Sequence, residues 1–462
     1  MIKNIEHKYH TIILLMISLG FYIFFFFMDG FIICADSASY IEMHFTREPL
    51  YSIYLSFFRF LFNGNEEIAL LAAVFGQSIL AGIAAFSITH YLSKEFRLPS
   101  WISYSILAMP LATSLLCRFA AQRGSMYSNC ILTEGITISL YLLFFRYCLE
   151  YLLHRTKKSF IWCAVLCFIG ISMRKQMYIL LLLFFLALIY TILKNHEYKK
   201  IVSVVITIVS ILLLVSLLDR SYNLIKRNEF TRHVDDNRFV ATMVFYTADR
   251  DYANYIENEE IRQVFLDVYD VCNENGYLMN SAPNGWFDEV THFSDHYDLI
   301  QLNTLSLTLE DVVPKMDFAK EIQFDSIRID MVKSEVIRAL LPHEIPRILK
   351  VMFNNFLAGL VNTIAQRNPI LCIYAILAYL AYFILLAVLI IRNRKKDSSR
   401  CRGICLFAAF VIISLFANVA LVASVIFCQS RYVIYNMAPF YIVMILMLYE
   451  LFTPSATTDQ LK

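Results

Sequence analysis

Charge is scarce in this chain of 462 residues: Asp, Glu, Lys and Arg make up 17% of it, against 58% hydrophobic residues. That balance, with a mean hydropathy of +0.57, excludes an ordinary soluble domain and implies a fold whose solvent is mostly lipid. No small-residue cleavage site follows the first apolar run, residues 11–28, which is also too long for the core of a signal peptide, so it is expected to stay as a membrane helix. Nor does any metal-binding spacing or disulfide set emerge from the 11 cysteines; Cys148, Cys163, Cys167, Cys372 and Cys405 lie inside apolar runs, where cysteine acts as a small hydrophobe. A long internal repeat is missing too, and the halves differ too much in loop length for the inverted repeats of a secondary transporter. The net charge of +2 is uninformative by itself, and no nucleic-acid partner is expected.

What the chain does contain is a series of apolar runs: residues 11–28, 68–92, 101–117, 131–149, 160–173, 177–193, 201–218, 369–391, 403–427 and 432–452. A hydrocarbon core of about 30 Å takes about 20 apolar residues per helix, and every backbone group within it must be bonded inside its own helix. The expected fold class is therefore all-α, a polytopic transmembrane bundle of about ten spans. Lys3/Lys8, Lys94/Arg97, Arg155/Lys157/Lys158, Lys194/Lys199/Lys200 and the run from Arg392 to Arg402 fall on alternate ends of these spans. By the inside-positive bias both termini are cytoplasmic.

Three regions follow: an N-terminal transmembrane module over 1–218, an extracytoplasmic loop subdomain over 219–347, and an interface helix with C-terminal membrane helices over 348–462. The middle region holds most of the acidic residues and is too long for a linker, so it is expected to fold, mainly as helices. Asn258, Glu259 and Glu260 ahead of helically spaced apolar residues predict one helix over 258–268, and a second is predicted over about 326–341. Ile345, Ile348, Leu349, Met352, Phe356 and Leu360 then mark one face of a helix lying along the outer interface, and residues 49–61 have the same aromatic and apolar character.

Basic residues in the short outer connections run against the inside-positive bias. Arg47, Arg118, Arg123, Arg174, Lys175 and Arg431 are the exceptions. Each alone could snorkel to lipid phosphate or pair with the acidic loop. Together they suit an anionic group at the outer leaflet, because guanidinium groups grip phosphate oxygens in bidentate fashion. The first outer loop offers Asp36, with Asp29 as the alternative acid, and a carboxylate at this level could take the proton of a hydroxyl nucleophile. Glu134 opens a span, where an ionisable group usually faces the bundle interior; it reads as an acceptor for sugar hydroxyls, a partner for Arg118 or Arg123, or a helix N-terminal acid favoured by the dipole. Asp249-Arg250-Asp251 and the set His292, Asp295, His296 and Asp298 have metal-capable residue types, but such coincidences are common in an acidic loop, and neither a metal nor another cofactor is expected.

Four segments together, Ala35-Asp36-Ser37-Ala38-Ser39-Tyr40, Arg47-Glu48-Pro49-Leu50-Tyr51, Leu132-Thr133-Glu134-Gly135 and Gln429-Ser430-Arg431-Tyr432, resemble polytopic GT-C glycosyltransferases. The likeness is to the bacterial branch related to protein O-mannosyltransferases and the lipid A aminoarabinose transferase, and the segment from Glu335 to Phe356 is also similar to that group. This resemblance implies a polyprenyl-phosphate sugar donor, a glycan, lipid or protein acceptor, inversion at the anomeric carbon, and Asp36 as the catalytic acid of the first loop. The family often has Asp-Glu there, whereas this chain has Asp36-Ser37. Arg47, Glu134, Arg174, Lys175 and Arg431 are then the expected substrate-binding residues. A polysaccharide polymerase or ligase on lipid pyrophosphate would share the basic lining without requiring Asp36. A lipid or glycan transporter would instead need charges near mid-membrane.

Overall fold

The computed structural model describes residues 2–120, 124–396 and 398–453. Among these residues nine helices are long and apolar enough to cross a membrane: Tyr9–Asp29, Glu66–Glu95, Ser100–Phe119, Glu134–His154, Lys175–Asn195, Tyr198–Arg227, Pro369–Arg394, Ser399–Ala423 and Ser430–Phe452. The chain is thus an all-α, multi-pass membrane protein. Its described β structure is one isolated bridge, between Ile32 and Cys130.

The tenth expected span is the helix Lys157–Met173, which has 17 residues. At 1.5 Å per residue it is about 26 Å long, slightly less than the hydrocarbon core. It nevertheless runs the full height of its neighbours, from the Arg155–Glu197 ion pair at one end to the Arg174–Glu134 pair at the other. Thr156 caps its start by accepting from the Ser159 amide.

Burial separates inner from outer helices. In Glu134–His154 61% of the apolar window is buried, whereas Tyr198–Arg227 and Tyr9–Asp29 bury only 11% and 17% and turn Leu213, Leu217, Met16 and Phe24 outward. In water such surfaces would aggregate; in lipid they are the expected exterior. Lipid gives no hydrophobic drive for helix association, so close approach at small residues matters. Gly82 is one such point: a Cβ there would lie 2.8 Å from Leu19, and the Gly82 carbonyl accepts from Ser18 Oγ at 2.7 Å.

Ion pairs mark the two ends of the bundle. At one end lie Glu95–His154 (2.8 Å), Arg155–Glu197 and Arg400–Glu450 (2.6 Å), with Arg392 on the carbonyls of Glu450 and Leu451. The other end carries Asp29–Arg118, the loop after the first span, and the segment 219–347. The first and last membrane helices therefore begin and finish at the end opposite that segment.

The segment itself is helical. Asn258 accepts from the Ile261 amide at 3.0 Å and starts the helix Glu259–Glu274, and Phe245, Phe265, Phe293 and Tyr297 form the buried core. The two helices expected after residue 325 are one, Asp325–Ile364, of 40 residues with Pro342 and Pro346 inside it. A proline normally ends a helix because it lacks an N–H and crowds the preceding turn; here packing against Arg238–Thr247 on one side and Ser399–Ala423 on the other carries the helix through. The face expected from Ile345 to Leu360 is split: Ile345 and Leu349, with Phe353, form an exposed apolar stripe, while Ile348 is buried and Met352, Phe356 and Leu360 pack against the core. Residue 347 lies within this helix, and residue 218 within Ile201–Arg227, so helices run through both limits of the loop region. Pro49–Leu61 is a second amphipathic helix, burying Tyr51 and Leu55 and exposing Phe57, Phe60 and Leu61.

Candidate functional site

Gly30, at φ +63°, takes the chain out of the first span into its loop, a conformation that costs glycine little. Ser37 then anchors that loop: its hydroxyl donates to the Ile131 carbonyl and accepts from the Cys34 amide, both at 2.8 Å. Asp36, at the head of the short helix Ser37–Ile41, is thereby held over the ends of the membrane helices.

Asp36 sits between two arginines. Its Oδ1 is 2.9 Å from Arg47 Nη2, and its Oδ2 is 2.7 Å from Arg431 Nη1. The same Arg431 donates through Nε to Glu134, whose carboxylate also receives Arg174 Nη1 at 2.6 Å. The result is one chain of charges, Arg47–Asp36–Arg431–Glu134–Arg174, assembled from the first loop, the start of Glu134–His154, the turn after Lys157–Met173, and the start of Ser430–Phe452. Ser39 Oγ accepts from Arg47 Nε at 2.8 Å, and the Tyr40 ring lies 4.7 Å from its guanidinium. Arg174 is held by Thr133 Oγ1 at 3.1 Å and by Gln176, which itself donates to Asn418 and to the Tyr432 carbonyl.

Three guanidinium groups against two carboxylates leave an excess of positive charge. Glu134 is fully enclosed, whereas the Asp36 side chain keeps 31% exposure, the most of the five. Burial acts to raise the Asp36 pKa, but the Arg431 and Arg47 charges outweigh it and hold the carboxyl below its usual range. Asp36 is thus ionised at neutral pH. For Arg47 burial works against the charge, while Tyr40 and Asp36 restore it and leave the pKa raised. Asp298, at the end of the helix Trp286–Asp298, is close enough to feel both Asp36 and Arg431; burial and the Asp36 charge raise its pKa against the opposing effect of Arg431.

Lys175 stands beside this network. Its ammonium pairs with Asp236, and its amide donates to Glu48 Oε1 at 2.9 Å. Both line a cavity of about 450 Å³ with an apolar wall of Ile171, Tyr178, Leu212 and Val215. Its polar rim adds Asp219, Arg232 and His233, with His233 Nδ1 2.6 Å from Asp219. Sequence reasoning passed over these three and Asp236. The available signal was Asp219, an acid closing a long apolar run.

The other sequence candidates fall elsewhere. Arg118 holds Asp29, which also accepts from Ser125 at 2.7 Å, so Asp29 is outside the Asp36 network and Arg118 is not the partner of Glu134. Arg123 lies outside the described residues. Asp249 pairs with Arg347 at 2.7 Å and Arg250 with Asp270 at 2.9 Å, on the surface. His292 meets Tyr246 and the Gly276 carbonyl, and His296 meets the His292 carbonyl. Among the described residues no three His, Cys, Asp or Glu side chains are placed to hold a metal. Against known proteins, no family model, curated protein or solved structure matches the chain.

Proposed function

We propose that this protein is an inverting glycosyltransferase that moves a sugar from a polyprenyl-phosphate donor to an acceptor hydroxyl. It would work at the outer face of a bacterial cytoplasmic membrane, with both termini cytoplasmic, in cell-surface glycan synthesis. The observation that carries this reading is Asp36: an ionised, partly open carboxylate flanked by two arginines at one end of a membrane bundle. The acceptor hydroxyl gives its proton to Asp36 as its oxygen bonds to the anomeric carbon. The bond from that carbon to the phosphate oxygen breaks, and its electron pair leaves with the phosphate. Arg47 and Arg431 face the charge that develops there, and phosphate needs no proton to leave, so electrostatic stabilisation is the largest contribution. An incoming phosphate that engages these arginines also draws them from Asp36, which strengthens it as a base.

The adjoining cavity supports the same reading, since an apolar wall beneath Lys175 and Arg232 suits an isoprenoid chain below its phosphate. Glu134 is enclosed by Arg174 and Arg431, so its part is to position them. A ligase or polymerase on lipid pyrophosphate would use the three arginines equally well, and the need for Asp36 tells the two apart. The direct test is sugar transfer from a polyprenyl-phosphate sugar by detergent-solubilised protein with no ion gradient. Transfer there, lost in Asp36→Asn, is the expected result; accumulation that requires sealed vesicles and a gradient would instead mark a transporter.

A further inference from the structure

A second cavity, of about 190 Å³, opens in the loop region between the helices Trp286–Asp298 and Asp325–Ile364. At about 30 Å³ per water it has room on the order of six waters, the space of a small polar ring and not of a lipid tail. Four amide side chains border it: Asn280, Asn284, Asn354 and Asn355. Two aromatic residues, Tyr246 and Phe293, add to an apolar part that includes Met279, Val290 and Val351, and Lys350 and Glu289 also face it.

The charge in this cavity is cancelled. Lys350 Nζ is 2.9 Å from Glu289 Oε1, and Asn354 Nδ2 donates to Glu289 Oε2 at 2.9 Å, so neither a phosphate nor a metal ion is favoured. Asn355 is different from its neighbours: it is 1% exposed, and its Nδ2 has no hydrogen-bond partner. A buried amide N–H left unbonded is destabilising, so its presence at a cavity wall needs a reason. A ligand hydroxyl supplies one. Carboxamides offer a donor pair and an acceptor in one plane, which suits adjacent hydroxyl groups, and aromatic faces pack on the apolar face of a saturated ring.

We infer that this cavity binds one ring of a neutral glycan. Its position adds a role that rests on the transferase reading: Glu289 and Phe293 share a helix with Asp298, which lies near Asp36 and Arg431. The nine steps from Glu289 to Asp298 rise about 14 Å. An acceptor chain more than one sugar long, seated on the asparagines, would thus extend along this helix to place its growing end at Asp36.

The test is calorimetric titration of the full chain in detergent with neutral oligomers of glucose, galactose, mannose and N-acetylglucosamine, one to four residues long. At least one series is expected to bind, and Asn284→Ala and Asn280→Ala, both on exposed residues, should each weaken it about three- to tenfold, with Asn355→Leu weakening it at least as much. No binding by any oligomer, or equal binding by wild type and all three variants, overturns the site. Binding is read without transfer, so a protein that binds glycan at the asparagines yet transfers no sugar would retire the transferase reading and leave this site standing.

Discussion

Arg431 grips Glu134 across 297 positions of sequence, and with its other nitrogen it holds Asp36. One guanidinium thus joins the last membrane helix to the fourth and to the loop after the first span. Three parts of the chain meet in a single side chain, which shapes what its variants will show.

Replacing Arg431 by Ala leaves Glu134 in a dry site with Arg174 as its one remaining strong partner. Breaking a buried pair costs about 3–5 kcal/mol, and the retained Arg174 contact puts this case at the lower end. Thermal unfolding in detergent should show a clear loss in Arg431→Ala, part of which returns when Glu134→Gln is added. Full stability in Arg431→Ala would mean that the pair contributes nothing to the fold.

Asp36→Asn keeps the shape of the side chain and removes its charge. Turnover should fall by at least about 10²-fold while donor affinity changes little, as for loss of a general base. Asp29→Asn serves as the comparison: it disturbs the Arg118 contact and should lower stability while leaving transfer within a fewfold of wild type. Loss of transfer in Asp29→Asn with activity in Asp36→Asn would move the base to Asp29.

Glu344 gives a pH signature independent of function. Burial raises its pKa to about 8, against the Thr247 hydroxyl and Arg347, which favour the anion. The folded state therefore holds a proton that the unfolded chain has released above about pH 4.5, and stability falls as pH rises from about 4.5 to about 8. Glu344→Gln should match wild type at pH 5 and exceed it at pH 8 by about 2–4 kcal/mol. Equal melting at both pH values would show that Glu344 is solvated.

Sidedness is open to labelling in intact cells. A cysteine at Asn284 should react with an impermeant maleimide, and one at Ser399 only after permeabilisation, both residues being exposed. The opposite pattern would invert the bundle.

Much of this architecture was legible in the residues, for a physical reason: a membrane helix is written as about 20 contiguous apolar residues, and the Asn258 cap and its following acids announce a helix locally. Of the basic residues expected to run against the inside-positive bias, Arg47, Arg174 and Arg431 converge on Asp36 and Glu134, whereas Arg118 pairs with Asp29 and Lys175 with Asp236. Their pairing was not legible, because Glu134 was matched to arginines near it in sequence, and helix ends brought together by tertiary packing carry no local mark. The helix expected to end near residue 341 runs on through Pro342 and Pro346 for the related reason that tertiary packing overrides a local break. Asp236 and His233 were hidden in a region whose acids all looked alike.

The 40 residues of Asp325–Ile364 form a rod of about 60 Å. Toward its C-terminal end Asn354 and Asn355 border the asparagine-lined cavity, and about two turns further on Asn362 donates to the Cys428 carbonyl at 2.6 Å, three residues before Arg431. A rod cannot shift at one point and stay still at another. A tilt imposed on it by filling that cavity would reach, through Asn362 and Cys428, the segment that carries Arg431 and so Asp36.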